Sequence, residues 1–385
     1  LKILLYTHTF FPNIGGCEDL ADVLASGWTE SGEQVTVVTP TKSNFERETS
    51  YSVVRNPSLP QLIDLASKHD IVHANGTTMR LFPLAVLLGK PFTWAHHGYQ
   101  IQCIDGAGWA QGAPAPMKPW ESFLHHLKLF GVARACIGGL KLALRRTVGA
   151  LVSANIATSK HVALRQPLAR QEIILNPINA KFFSTASKEE AEKNLLKARY
   201  TFTFIGRLIS EKGLADLLKA LKVVQEQEDK QFGGKISTLR IIGDGPEKTS
   251  LQNLGKNLGL DDCLSWEFYP SHELREQLVT AGICVIPSAW EEPGALIVLE
   301  LLAMGKPLIV SERGWLSECA GDACLTFPNG DWHALAKVML KLAHDPALQL
   351  SLVNKALSRR SQFDPKTSIV KYLSLFRKVL SKRDA

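Results

Sequence analysis

Two short segments hold residue types suited to gripping a phosphorylated ligand. The first, Gly206-Arg207-Leu208-Ile209-Ser210-Glu211-Lys212-Gly213, follows the run Thr-Phe-Thr-Phe-Ile at 201–205 and precedes a helical pattern that begins near Leu214. A strand–loop–helix junction aims backbone N–H groups and the positive end of a helix dipole at one point. Arg207 and Lys212 add two full charges there, enough to clamp a diphosphate. Taken alone, the segment also reads as a solvated basic turn. The second segment runs from Ala289 through Glu292-Pro293-Gly294-Ala295-Leu296 to Glu300. Glu292 falls in a loop and Glu300 in the helix that follows, about two turns in and facing the sheet. Gly294 and Ala295 between them let backbone approach a ligand closely, with their N–H groups at a helix start. A carboxylate on the otherwise apolar stretch Ala295 to Ala303 needs a polar partner, and either ligand hydroxyls or a salt bridge would supply it.

The elements that must position these residues are legible as alternating strand and helix patterns. Apolar runs at 2–6, 34–38, 71–73 and 92–95 are separated by segments able to hold helices, among them Glu18 to Ser31 after the turn-rich Pro12-Asn13-Ile14-Gly15-Gly16. Further runs follow at 155–158 and 172–175. A second series occupies 201–205, 239–242, 264–268, 283–286 and 308–310. Such alternation predicts parallel, doubly wound sheets. The segment Asn176-Pro177-Ile178-Asn179 reads as a linker, because proline restricts its own φ and the residue before it. The expected division is therefore an α/β domain over 1–180, a second over 181–365, and a terminal amphipathic helix over 366–385.

At 385 residues, 45% hydrophobic and 21% charged, the chain is long enough for two cores. The net charge of +7 suits anionic partners without choosing among them. Seven cysteines, Cys17, Cys103, Cys136, Cys263, Cys284, Cys319 and Cys324, make no CxxC pair, which argues against a disulfide framework or closed zinc site and for reduced thiols in the cytoplasm. No apolar run reaches spanning length, and Leu1 to Tyr6 lacks the apolar core of a signal peptide. The chain opens without methionine, so a residue or more is expected to be missing from its start.

Together, Gly206-Arg207-x4-Lys212-Gly213 and Glu292-Pro293-x6-Glu300 resemble the donor site of the retaining glycosyltransferases of family 4. The likeness covers nearly the whole chain and implies the GT-B fold, two Rossmann-like doubly wound α/β domains facing each other across a donor-binding cleft. Gly15-Gly16-x-Glu18 resembles that family's N-terminal glycine loop, His97-Gly98 its active-site histidine, and Gly243-Asp244-Gly245-Pro246 its second glycine turn. The last helix resembles the one that crosses back onto the N-terminal domain. The resemblance implies that Arg207 and Lys212 hold the donor diphosphate, Glu292 the sugar hydroxyls and Glu300 the ribose hydroxyls. His97, Arg207, Lys212 and Glu292 are then the catalytic set. Gly15, Gly16, Gly206, Gly245, Tyr269, Gly294, Ala295 and Leu296 complete the donor site.

The sequence departs from the family pattern twice. Gly294 and Ala295 replace the usual Phe-Gly after Glu-Pro, and Phe268-Tyr269-Pro270 replaces a glycine near the base pocket, where Tyr269 either stacks on or flanks the base or is an ordinary strand-end aromatic. Of the neighbours His96 and His97, only one can face a site, because successive residues at a strand end point apart. His97, before Gly98, is the choice. Asp105 and Glu121 are weaker acid–base candidates.

The activity implied is transfer of a hexosyl group, glucose first, from a UDP-sugar to a saccharide or lipid-linked saccharide hydroxyl. No cofactor and no nucleic acid partner is expected, and no metal either, since the Asp-x-Asp of metal-dependent GT-A enzymes is missing from the sequence. A nucleotide-sugar epimerase or a non-catalytic nucleotide-binding protein would share the same phosphate-binding logic. A dinucleotide oxidoreductase would need Gly-x-Gly-x-x-Gly after its first strand, and residues 12–16 do not supply it. The stretch 118–146 sets Lys118, Lys128, Arg134, Lys141, Arg145 and Arg146 against Glu121 alone. It reads either as a peripheral contact with the cytoplasmic membrane surface or as a helical pair packed on its own domain.

Overall fold

β-Branched and apolar runs buried on both faces form parallel sheets covered by helices, and this chain builds two. In the computed structural model, which describes residues 1–13, 15–44, 47–183, 187–234 and 236–384, the chain divides into two compact units. The first comprises Leu1–Ala110, Pro114–Asn179 and Asp364–Ala385, and the second Gln111–Ala113 and Ala180–Phe363. Ile14, in the glycine loop, lies outside the described residues.

The sheet of the first unit uses β1 (Lys2–Thr7), β2 (Gln34–Thr39), β3 (Ser52–Arg55), β4 (Ile71–Asn75) and β5 (Phe92–His96). Two short strands, β6 (Trp109–Ala110) and β7 (Ala113–Pro114), lie in the glycine-rich stretch, and β8 (Ala154–Ala157) and β9 (Gln171–Ile173) complete the sheet. Its order is β3-β2-β1-β4-β5-β8-β9, with every neighbouring pair parallel. The order reverses between β1 and β4. The helix expected from Glu18 starts earlier, at Gly16, and runs to Glu30. β3 was not anticipated, because its half-buried residues carry no continuous apolar run.

The terminal helix, Pro365–Asp384, packs on this unit. Tyr372 and Phe376, both fully buried, set their rings edge-on to Trp28 at 5.7 and 5.3 Å and close over His73 of β4. Aromatic burial of this kind dominates local packing energy. Arg377 adds an ion pair to the buried Glu33 at 2.6 Å.

The second unit contains β10 (Thr201–Ile205), β11 (Thr238–Ile242), β12 (Leu264–Glu267), β13 (Ile283–Ile286), β14 (Leu308–Ser311) and β15 (Cys324–Phe327). They are ordered β12-β11-β10-β13-β14-β15, again all parallel. Here the reversal falls between β10 and β13. Its core gathers Phe202, Phe204, Leu217, Leu221, Ile241, Val285 and Ile309 among others. β15, an edge strand of only four residues, was likewise not anticipated. In open α/β sheets, ligands bind beyond the carboxyl ends of the strands where the order reverses, and the segments 206–213 and 289–300 follow β10 and β13.

Candidate functional site

The loops after β10 and β13 are knitted together by backbone before any side chain is considered. Ala289 N–H donates to the Glu211 carbonyl at 2.9 Å. Gly213 adopts φ 71°, and a Cβ there would lie 1.9 Å from the Pro287 carbonyl oxygen, so only glycine permits this approach. Gly213→Ala is expected to push the two loops apart, costing about 1–3 kcal/mol of stability. UDP affinity should fall with it. Thermal unfolding and UDP titration check both, and unchanged UDP affinity would show that the loop contact is dispensable.

Within this frame Lys212 Nζ donates to Glu292 Oε1, which also accepts from Ser288 Oγ at 2.8 Å. Both bonds land on one carboxylate oxygen. Glu292 is only 3% exposed, so its charge is held by a fixed cation and hydroxyl rather than by water. Lys212 Nζ also lies 5.7 Å from the centre of the Trp290 ring, a cation–π contact on its other side. The backbone of Glu292 is pinned too, its carbonyl accepting from Trp315 N–H at 2.8 Å. Asn329 Nδ2 donates to the carbonyls of Ser288 and Trp290 at 3.0 and 3.1 Å, holding the loop's outer turn.

The remaining expected residues take varied positions. Gly206 and Arg207 leave β10 in sequence, with Arg207 exposed. Gly294 and Ala295 precede the helix Leu296–Ala303, in whose first turn Val298 N–H donates to the Ala295 carbonyl at 3.1 Å. Glu300 is one turn into that helix rather than two, and it is half-buried rather than turned fully onto the sheet. The reason is local: Ala295 keeps an extended ψ of 107°, so the helix begins only at Leu296. Gly245 supports the first loop, since a Cβ on it would meet Leu208 backbone atoms at 2.5–2.9 Å. Tyr269 is half-buried, its hydroxyl donating to Glu267 at 3.0 Å. Glu267 is clamped by the Arg240 guanidinium, which holds its carboxyl below the ordinary value.

In the first unit, Gly15 precedes the helix Gly16–Glu30 after β1. His96, at the end of β5, is fully buried between Asn155 Oδ1 at 2.9 Å and Gln100 Nε2 at 3.2 Å. His97 is half-buried, with Nε2 2.6 Å from Asn75 Oδ1. Burial pushes both imidazoles down to about 4, so both are neutral at physiological pH. Asp105 uses Oδ1 to accept the N–H groups of Ala107 and Trp109 at 2.8 and 3.2 Å and that of Gly108, a turn-forming arrangement. Glu121 pairs with Lys118 on the surface at 3.2 Å.

Sequence reasoning missed Ser288, Trp290 and Asn329. Ser288 and Trp290 sit directly between β13 and the Glu-Pro pair, which was a usable signal. Asn329 comes from a distant turn, and nothing in its own neighbourhood points to the site.

Residues 186–359 match the family of group 1 glycosyl transferases. That segment contains every residue of the Lys212–Glu292 arrangement. The chain is 33% identical over 150 residues to an exopolysaccharide phosphotransferase of Streptomyces coelicolor, covering 38% of this chain and 16% of that protein. It is 30% identical over 183 residues to the lipopolysaccharide core biosynthesis glycosyltransferase LpsD of Rhizobium meliloti, covering 46% of this chain and 50% of that protein. The chain thus spans half or less of the length of these two curated relatives. Among solved structures, Anabaena HepE in complex with UDP and glucose superimposes with a TM-score of 0.74 at 16% identity, covering 98% of this chain and 99% of that one. The fold is GT-B, with two parallel α/β units.

Proposed function

We propose that this chain is a retaining glycosyltransferase of family 4 that transfers a hexosyl group from a UDP-sugar, glucose being the first donor to test. The acceptor is a hydroxyl of a saccharide or lipid-linked saccharide in polysaccharide or glycoconjugate synthesis. The observation that carries this reading is the meeting of Lys212 with Glu292 at the strand-order reversal of a segment matching group 1 glycosyl transferases.

In this proposal Arg207 and Lys212 neutralise the diphosphate as its bond to the anomeric carbon breaks, without a metal ion. Fixed cations aimed at developing charge are the largest single source of rate in such steps. The Gly294, Ala295 and Leu296 amides add dipoles of the same sign. Glu292 keeps Oε2 for a sugar hydroxyl, because Oε1 already serves Lys212 and Ser288. Glu300 takes the ribose hydroxyls. Tyr269 flanks the base, its ring held by the hydroxyl bond to Glu267. His97 Nε2–H donates a hydrogen bond to Asn75 Oδ1, which leaves Nδ1 as an acceptor for a sugar hydroxyl. Gly15 and Gly16 lend backbone to the donor phosphates. The departing diphosphate takes the acceptor's proton as the new bond forms on the same face, which preserves the anomeric configuration.

Release of UDP from UDP-glucose and UDP-N-acetylglucosamine, and of GDP from GDP-mannose, each with and without a saccharide acceptor and with EDTA, tests the proposal. Acceptor-dependent UDP release unaffected by EDTA is expected, with a retained configuration by NMR. UDP binding without turnover, a free isomerised sugar, or an inverted linkage would each overturn it.

A further inference from the structure

The helix Pro119–Leu151 contains one residue with non-helical angles, Gly131 at φ 79° and ψ 173°. A Cβ on Gly139 would lie 3.2 Å from the Phe123 ring, so the arm 132–151 runs back along the arm 119–130 as a hairpin. The second arm is apolar on two opposite faces. Ala135, Gly138 and Leu142 recur at helical spacing and are buried against the unit. Val132, Ile137, Leu140 and Leu144 occupy the other side and are 53–74% exposed.

An amphipathic surface helix turns polar residues outward, and a helix apolar all round is normally enclosed on every side. This arm is enclosed on one side only. Its charge is one-signed as well: residues 122–151 include no aspartate or glutamate. Arg145 and Arg146 are spent on the unit itself, donating to the carbonyls of Gln100 at 2.8 Å and Ile101 at 3.2 Å. Lys128 and Arg134 flank the hairpin's turn, and Lys141 lies one helical edge away from Leu140 and Leu144. No helix among the described residues is long and apolar enough to cross a membrane.

We propose that this outer face is a docking surface for an anionic lipid bilayer, the exposed aliphatic side chains entering the acyl boundary while Lys128, Arg134 and Lys141 meet the headgroups. Charge selects this occupant. Two copies of the hairpin placed face to face would bring like charges together, whereas anionic headgroups complement them. The inference goes beyond the transferase reading and is measured without donor or acceptor, so the two can fail separately.

Co-sedimentation of the full chain with phosphatidylcholine vesicles containing about a third phosphatidylglycerol should pellet the protein, and pure phosphatidylcholine should pellet far less. Leu140→Glu/Leu144→Glu changes only exposed positions and should weaken partitioning roughly ten-fold or more, with thermal unfolding and UDP affinity unchanged. Lys128→Gln/Arg134→Gln/Lys141→Gln should remove the preference for the anionic lipid. Wild-type protein that stays in the supernatant overturns the proposal. So does either variant partitioning like wild type, or a stable dimer in ultracentrifugation that Leu140→Glu/Leu144→Glu dissociates.

Discussion

Lys212→Ala is expected to lower kcat/KM for the donor by about two to three orders of magnitude, the usual cost of removing one fixed electrostatic group from a reacting centre. The structure also predicts a second effect. Glu292 is 3% exposed and Lys212 is its ion-pair partner, so the single variant leaves a buried carboxylate supported, among the described side chains, by Ser288 alone. Breaking a buried pair from one side costs about 3–5 kcal/mol, whereas replacing both partners with neutral groups of similar shape is often neutral. Lys212→Met/Glu292→Gln should therefore recover most of the lost stability and none of the lost activity. Donor-dependent UDP release together with urea unfolding separates the two roles. Wild-type kcat/KM in both Lys212→Ala and Glu292→Ala would remove these residues from the mechanism.

Acid is expected to destabilise the first unit strongly between neutral pH and about pH 4.5, because its central strands bury neutral histidines. Burial holds His73 at about 3 and His96 and His97 at about 4, against an ordinary value of 6.5. The unfolded chain then binds more protons than the folded one throughout that interval. Stability is fully present above pH 6.5 and falls as the pH drops toward the folded values. At about pH 4.5 each fully buried histidine costs about 2–3 kcal/mol, and the half-buried His97 less. That sum is a large share of the roughly 5–15 kcal/mol that keeps a domain folded. His73 is the most exacting case, lying among Trp28, Tyr372 and Phe376 with only Thr93 Oγ1 for Nδ1 at 2.9 Å. Among the described residues its buried Nε2 has no hydrogen-bond partner. Denaturant unfolding of His73→Phe across this range should show a pH dependence smaller by about 2–3 kcal/mol. An unchanged slope would mean that His73 is not the group responsible.

The parallel α/β class was legible in the sequence, because strands such as 3–6, 201–205 and 283–286 are runs of apolar, aromatic and β-branched residues that a covered sheet accommodates. It also singled out two segments with the residue types expected of a phosphate site, since glycine loops, cations and helix starts are features of neighbouring residues. β3 and β15 were not legible because they are edge strands of four residues, each containing polar positions, Ser52 and Arg55 in one and Thr326 in the other. The stretch 118–146 was legible as basic and apolar, and in one of two readings as a helical pair, but its two apolar faces were not, because the approach of Gly138 to Ile104 decides which side is covered. The same holds for the candidate site. Lys212 and Glu292 stand 80 positions apart, and nothing in either segment specifies that β10 and β13 become neighbours. Strand order is set by non-local packing, and only that packing placed cation and carboxylate in contact, with Ser288, Trp290 and Asn329 around them.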